Sequence, residues 1–447
     1  MTNCFLLRKA VPAIFTLLAC LFSGCARATP SMHPEPTPIP TTTDFNAYIA
    51  RPEPAYKWAK TGGSGNLTEL KLTSQEWQGQ VWTHKVQVFR PETVRFPDTA
   101  LVLISYGGGS DMETLFGQIV ANTTGMTFVN LFDVPNEPLF GRNEDELVAY
   151  SFDRYIESGD STWPLLLPMT KSVVKAMDAV GELSKQEWKQ PITKFGISGV
   201  SKRGWTAWLA GAVDRRVIGI APIVYNNLNL PAQMPHQLET WGKYSEMIDD
   251  YTRLGLQQKM TTPRGRMLSA MVDPYSYRDR IAMPKLIVNA TNDRYWTLDA
   301  MSLYGGGLIG QTNVMEVPNT GHMLTGQERK VFGSITAWFV RVAAGSAMPE
   351  VKLKPLAVEA NGAHSFRLTA GTEVSSAQLW VATSQTQDFR DSHWDALTMT
   401  GDNGGYVASV VPPDGHANFV AVFGDALLPG GAMPLHLSSS VIIWKNQ

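Results

Sequence analysis

The sequence predicts an α/β fold built on a mostly parallel sheet, with a smaller β-sandwich following it. Between about residue 46 and residue 346, short apolar runs alternate with stretches of helical apolar spacing, the order that produces parallel strands joined by helices. Several runs are continuously apolar, as strands covered on both faces are; Ala100-Leu101-Val102-Leu103-Ile104-Ser105, just ahead of Gly107-Gly108-Gly109, is one. After about residue 347 the runs become short, alternating and separated by Gly, Asp, Asn and Pro, the pattern of a sandwich of about 100 residues.

In chain order, residues 1–24 read as an address. Arg8 and Lys9 precede an apolar run from Ala10 to Phe22, of signal-peptide length and too short for a membrane span. The run ends in Phe22-Ser23-Gly24-Cys25, which predicts export and favours lipidation of Cys25; an ordinary cleaved signal peptide is the alternative. Residues 25–45 form a tether, since Pro30, Pro34, Pro36, Pro38 and Pro40 favour an extended spacer without a core. In the region 46–346, Gln80 to Phe89 alternates like an antiparallel strand. Met126 to Leu131, Ile192 to Ser198, Val217 to Val224, Leu286 to Ala290 and Val314 to Val317 read as buried parallel strands, and Leu165 to Leu183 and Thr325 to Ala344 as helices. Residues from about 225 to 280 lack a strand pattern and are expected to form a helical insertion over one end of the sheet, while residues 347–447 form the sandwich domain.

Composition narrows the function classes. With 44% apolar and 17% charged residues the chain is neither disordered nor collagen-like. Lys and Arg number 38 against 40 Asp and Glu, so the basic excess of a nucleic-acid binder is missing. The three cysteines are Cys4, Cys20 and Cys25, so the body that follows has no thiol for a disulfide or a cysteine nucleophile. No His-Glu-x-x-His helix or clustered ligand set occurs, and no metal or cofactor is expected.

The chemistry concentrates where strands end. Phe195 to Gly204 runs from a strand into a helix through Gly199-Val200-Ser201-Lys202-Arg203-Gly204, a nucleophile-elbow arrangement that exposes a serine hydroxyl at a sharp turn. The usual second glycine, two residues after the serine, is replaced by Arg203, and Gly204 follows one position later. By pattern alone, a serine that merely caps the helix is an equal reading. A nucleophile needs a base and a residue to orient it, in the order serine, acid, histidine, on loops after later strands. Asp293 follows the strand ending at Ala290, and His322 follows the strand ending at Val317. Of eight histidines only His322 lies in such a loop. The backbone N–H groups of Lys202 and of Gly107 or Gly108 are the candidate oxyanion donors, although three glycines also suit a plain tight turn. Tyr106, Tyr295 and Trp296 are candidate pocket residues, with core packing as the alternative for the last two. Ser198 is the rival nucleophile and Asp299 the rival acid.

The runs Val134-Pro135-Asn136-Glu137-Pro138, Trp163-Pro164-Leu165, Pro168-Met169-Thr170-Lys171, Ser201-Lys202-Arg203-Gly204-Trp205-Thr206, Asp273-Pro274-Tyr275-Ser276-Tyr277-Arg278 and Asn292-Asp293-Arg294-Tyr295-Trp296 resemble the PhoPQ-activated pathogenicity-related proteins, a family that includes the autocrine proliferation repressors. The resemblance implies an α/β-hydrolase fold, makes Arg203 normal at its position, and carries Ser201, Asp293 and His322 over as a triad. It also implies virulence or resistance to host antimicrobial peptides. The expectation is an exported serine hydrolase acting on an ester or peptide bond, in the periplasm or as an outer-membrane lipoprotein. The alternative is a non-catalytic envelope lipoprotein that uses the scaffold to bind a partner.

Overall fold

A computed structural model describes residues 44–446 apart from 361, 372–373, 412–417 and 432. The expected signal segment, Cys25 and the proline-rich tether lie outside the described residues. No helix among the described residues is long and apolar enough to cross a membrane.

The chain first lays down an antiparallel meander, β1 (Lys57–Gly62), β2 (Leu67–Trp77) and β3 (Gln80–Phe89). Six parallel strands follow: β4 (Phe96–Ile104), β5 (Met126–Leu131), β6 (Lys194–Val200), β7 (Val217–Ile223), β8 (Lys285–Ala290) and β9 (Thr312–Val317). Their spatial order is β1-β2-β3-β5-β4-β6-β7-β8-β9. An antiparallel lead-in, a single β4/β5 exchange and a parallel run thereafter define the α/β-hydrolase fold.

The exchange positions the site. From β4 the chain turns one way, through the helix Asp111–Thr124 to β5; from β6 it turns the other way, through the helix Lys202–Val213 to β7. β4 and β6 pair directly, so their carboxyl ends open a crevice where the winding direction reverses, the place where sheets of this kind bind ligands. Every residue of β5 and β8 is buried, the polar Thr127, Asn130, Lys285 and Asn289 included, so both strands are covered on both faces. Residues 225–284 between β7 and β8 carry the helices Leu230–Trp241, Asp249–Arg253, Leu256–Lys259 and Pro263–Val272 and no strand.

Beyond β9, the helix Glu328–Ala343 packs on the sheet, burying Val331, Ile335, Trp338 and Phe339. Among the described residues nine short strands follow: β10 (Lys352–Val358), β11 (His364–Thr369), β12 (Ser376–Ser384), β13 (Asp395–Thr398), β14 (Thr400–Asp402), β15 (Gly405–Val410), β16 (Phe419–Leu428), β17 (Leu435–Ser438) and β18 (Ile442–Lys445). One antiparallel sheet runs β10-β11-β15-β14. The other strands extend the central sheet rather than standing apart, because Ser438 of β17 pairs with Val314 of β9 and the Ser438 hydroxyl accepts from the Glu316 N–H at 3.0 Å. The apolar core is shared across this junction: Val288, Val317 and Trp338 belong to one buried cluster with Phe366, Leu379, Val422 and Leu437.

Candidate active site

The turn after β6 is built by two glycines. A side chain at Gly199 would place Cβ 2.6 Å from the Arg203 carbonyl oxygen, and one at Gly204 would meet the Gly199 and Ile223 oxygens at 3.0 Å. The close approach that calls for the second glycine thus falls three residues past the serine, which is why Arg203 fits at the position before it. Between them Ser201 takes φ +58° and ψ −125°, a left-handed conformation costing about 1–3 kcal/mol in a residue with a Cβ. The Ser201 N–H donates to the Ile223 carbonyl at 2.8 Å, and its own carbonyl accepts from the Trp205 N–H at 3.0 Å. The helix beyond is buried from Lys202 to Ala212, with Trp205 stacked on Tyr225. A strained turn on so immobile a base keeps its shape.

Two later loops meet this turn. His322 Nε2 lies 2.9 Å from Ser201 Oγ, and His322 Nδ1 lies 2.7 Å from Asp293 Oδ2. The other carboxylate oxygen, Oδ1, accepts the Tyr295 N–H at 2.8 Å, so both oxygens of Asp293 are engaged. The Tyr295 ring leans on the imidazole at a centroid distance of 4.1 Å, and its hydroxyl donates to Asp145 Oδ2 at 2.9 Å. One hydroxyl, one imidazole and one buried carboxylate form a continuous hydrogen-bonded line at the carboxyl ends of β6, β8 and β9. With Nδ1–H donated to Asp293, Nε2 carries the lone pair that faces the serine.

The glycine loop after β4 lies beside β6 in the sheet. Ser110 caps the helix Asp111–Thr124 in a reciprocal pair with Glu113, whose Oε2 also accepts the Gly109 N–H at 2.8 Å. That leaves Gly107 and Gly108 as the loop's donor candidates. Gly108 has φ +150°, and a Cβ there would collide with the Glu113 carboxylate at 2.6 Å. The N–H of Lys202, in the first position of its helix, has no intrahelical acceptor.

A charged cluster gathers at Lys202 and Arg203, the residues that follow Ser201. Lys202, itself buried, pairs with Glu144 and lies 3.5 Å from Asp145 Oδ1. Arg203 donates to Glu144 Oε1 at 2.7 Å and to the Val134 carbonyl at 2.7 Å, lies 3.5 Å from Glu137, and sits over the exposed ring of Tyr106. Burial, with Glu144 as a neighbour, raises the Glu137 carboxyl above its ordinary range. Burial would do the same to Glu144, but hydrogen bonds from Arg203 and the charges of Lys202 and Arg203 outweigh it and hold that carboxyl low. Glu144, Asp145 and Tyr251, whose hydroxyl reaches Asp145 at 3.2 Å, carried no sequence signal. Glu137 lay in a recognised run without a role.

Ser198 turns away, its hydroxyl donating to the Ala221 carbonyl at 2.7 Å inside the sheet, and Asp299 pairs with His236 at 2.8 Å. Trp296 is half-buried against Tyr225 and, with Asp293, lines a small internal cavity that also contains Asn226, Asn289 and Glu316. Tyr106, Tyr295 and Trp296 therefore occupy three different surroundings: solvent, the histidine's face and the protein interior.

A model of the PhoPQ-activated pathogenicity-related protein family matches residues 45–390. The chain belongs to this family. Autocrine proliferation repressor protein A of Dictyostelium discoideum is 35% identical over 325 residues, a match spanning 67% of this chain and 65% of that protein's length. Among solved structures, acetyl xylan esterase 1 from Thermoanaerobacterium sp. JW/SL YS485 aligns with 68% of this chain and 95% of its own at 14% identity and a TM-score of 0.43. The acetyl xylan esterase from Paenibacillus sp. R4 aligns with 67% and 95% at 13% identity and a TM-score of 0.47.

Proposed function

We propose that this chain is a serine hydrolase that cleaves an ester or amide bond through Ser201, His322 and Asp293. The observation that supports it most is the unbroken hydrogen-bonded line from the Ser201 hydroxyl to the Asp293 carboxylate, 2.9 Å and then 2.7 Å, reaching a serine held at a strained turn. His322 Nε2 takes the Ser201 proton as Oγ bonds to the substrate's carbonyl carbon, and the carbonyl π electrons move to oxygen. The N–H groups of Lys202 and of Gly107 or Gly108 stabilise that oxyanion. Each such donor contributes about 3 kcal/mol where it is aimed at the developing charge. When the tetrahedral adduct collapses, the bond to the alcohol or amine breaks and His322 returns the proton to the leaving group. Water, deprotonated by the same nitrogen, then releases the acid and restores the serine. Asp293 keeps Nδ1 protonated throughout and stabilises the imidazolium.

Export follows in the same proposal from the charged and apolar character of residues 1–24, with the globular body acting at the cell envelope and Cys25 as the residue carrying a lipid. A role in virulence or in resistance to host antimicrobial peptides belongs to the same reading. The test is covalent labelling with a fluorophosphonate, alongside hydrolysis of ester and peptide panels. Wild type is expected to label and Ser201→Ala to stay unlabelled; equal labelling of both would end the assignment.

A further inference from the structure

The loops that carry Asp293 and His322 are fastened by a segment from a distant part of the chain. Asn292, adjacent to Asp293, donates its side-chain amide to the Ser392 carbonyl at 2.7 Å and to the Arg390 carbonyl at 3.2 Å. Asn319, three residues before His322, makes a reciprocal pair with one backbone unit: its Nδ2 donates to the Trp394 carbonyl at 2.8 Å and its Oδ1 accepts the Trp394 N–H at 2.8 Å. The two loops are also tied to each other. The Asn292 N–H donates to the Thr320 carbonyl at 3.1 Å, and the Asn319 N–H donates to the Thr291 hydroxyl at 3.1 Å.

The fastening segment is itself rigid. Trp394 and Phe389 are buried with Phe423 of β16, and Leu298, just past the acid loop, packs against the same cluster. The Ser392 hydroxyl donates to the Thr383 carbonyl at 2.9 Å. Arg390 pairs with Asp388, lies 4.0 Å above the Trp241 ring and reaches Glu246 at 3.2 Å, so the segment also grips the helical insertion. Arg294, beside the acid, pairs with Asp391 and with Glu246.

We propose that residues 389–394 hold Asp293 and His322 in register with Ser201, with Asn292 and Asn319 as the positioning residues through which they act. The inference rests on the serine-hydrolase reading for its rate consequence, though not for its geometry. Neither asparagine bonds to the serine, the imidazole or the acid's carboxylate; each fixes the backbone that carries one of them. Catalytic lines of this kind tolerate little slack, since a displacement of about 1 Å costs on the order of 100-fold in rate. Loops without such an anchor would supply that slack. The strands after residue 350 thereby acquire a part in the reaction without contributing a group to it. Ser392 and Trp394 lie just past the stretch matched by the family model, which ends at residue 390.

The substitution that isolates the effect is Asn319→Gly. Asn319 has φ +56°, which glycine adopts freely, so this change removes both bonds to Trp394 without straining the loop. Asn319→Asp keeps the half that accepts the Trp394 N–H, and Asn292→Ala removes the other anchor. Two measurements are made on the full-length protein at a temperature where every variant is folded by circular dichroism. Fluorophosphonate labelling, followed against probe concentration, separates the limiting rate from half-saturation. Proton NMR reads the downfield Nδ1–H of His322, which reports its bond to Asp293 whether or not the protein turns over.

Asn319→Gly and Asn292→Ala are expected to lower the limiting rate by about 10- to 100-fold with half-saturation unchanged, and to shift or broaden the Nδ1–H signal. Asn319→Asp should fall between wild type and Asn319→Gly. Folded variants with the wild-type limiting rate and an unmoved signal overturn the proposal. If Ser201→Ala labels like wild type, the hydrolase reading fails alone, and the Nδ1–H signal still decides whether the asparagines position the acid and base.

Discussion

Replacing Asp293 with asparagine is the sharpest test of the hydrogen-bonded line. The carboxylate accepts from His322 Nδ1 at 2.7 Å on one oxygen and from the Tyr295 N–H at 2.8 Å on the other. An asparagine has one acceptor and one donor for two positions that both demand an acceptor. The backbone N–H of Tyr295 cannot change sign, so the amide oxygen faces it and the NH2 faces the imidazole. Nδ1 must then become the acceptor and Nε2 the protonated nitrogen, and a protonated Nε2 at 2.9 Å from Ser201 Oγ cannot take the serine's proton. The base is lost while the shape is kept. A wrong-tautomer histidine of this kind lowers kcat about 10⁴-fold, or about 5.5 kcal/mol of transition-state stabilisation. The assay is the single-turnover labelling rate with a fluorophosphonate, with ester hydrolysis in parallel and thermal melting to show that the fold persists. A labelling rate near the wild-type value in a folded Asp293→Asn protein would refute the tautomer argument, and with it the role given to the carboxylate.

The same geometry sets further outcomes at Glu316, Gly204 and Tyr295. Glu316 is fully buried, burial raises its carboxyl to about 7, and the amide of Asn289 offsets only part of that. In the unfolded chain the group titrates near 4.5, so the folded form holds the extra proton between the two values and stability falls as pH rises through that window. Glu316→Gln should therefore match wild type at pH 4 and gain up to about 3 kcal/mol relative to it at pH 8, measured by denaturant titration. Equal gains at both pH values would show that ionisation is not the cause. Gly204→Ala pushes a methyl against the Gly199 and Ile223 oxygens at 3.0 Å, so it should cost about 1–3 kcal/mol and slow labelling as the elbow shifts. Tyr295→Phe removes the hydroxyl bond to Asp145 but leaves the ring against His322, so labelling should slow by less than Asp293→Asn slows it. A Tyr295→Phe protein as slow as Asp293→Asn would mean that the hydroxyl acts on the reaction directly.

How much of this was legible in the primary sequence differs from element to element. Met126–Leu131 and Leu286–Ala290 could be read almost to the residue, because a strand buried on both faces is mostly apolar, here with Thr127, Asn130 and Asn289 as the polar exceptions. β1 could not, since Lys57–Gly62 is mostly exposed and carries no alternation. The helix Glu144–Ser158 went unread although Leu147, Val148, Phe152 and Tyr155 recur at helical spacing, and three acidic residues crowd its first turn. Two of those acids reach the loops beside Ser201: Glu144 and Asp145 are the partners of Lys202, Arg203 and Tyr295. The strands after residue 350 read correctly as short and antiparallel, while their junction with β9 through Ser438 left no local mark.

The order of serine, acid and histidine along the chain, and the loops on which they stand, were set by the sequence alone, because strand periodicity and glycine placement are local and a parallel sheet delivers each loop to the same rim. Which carboxylates face the cations beside Ser201, and which backbone holds the loops of Asp293 and His322, were decided only by the tertiary structure. Asn319 and Trp394 are 75 residues apart and meet through backbone atoms that any residue but proline would present at position 394, so no side-chain pattern could have announced the contact.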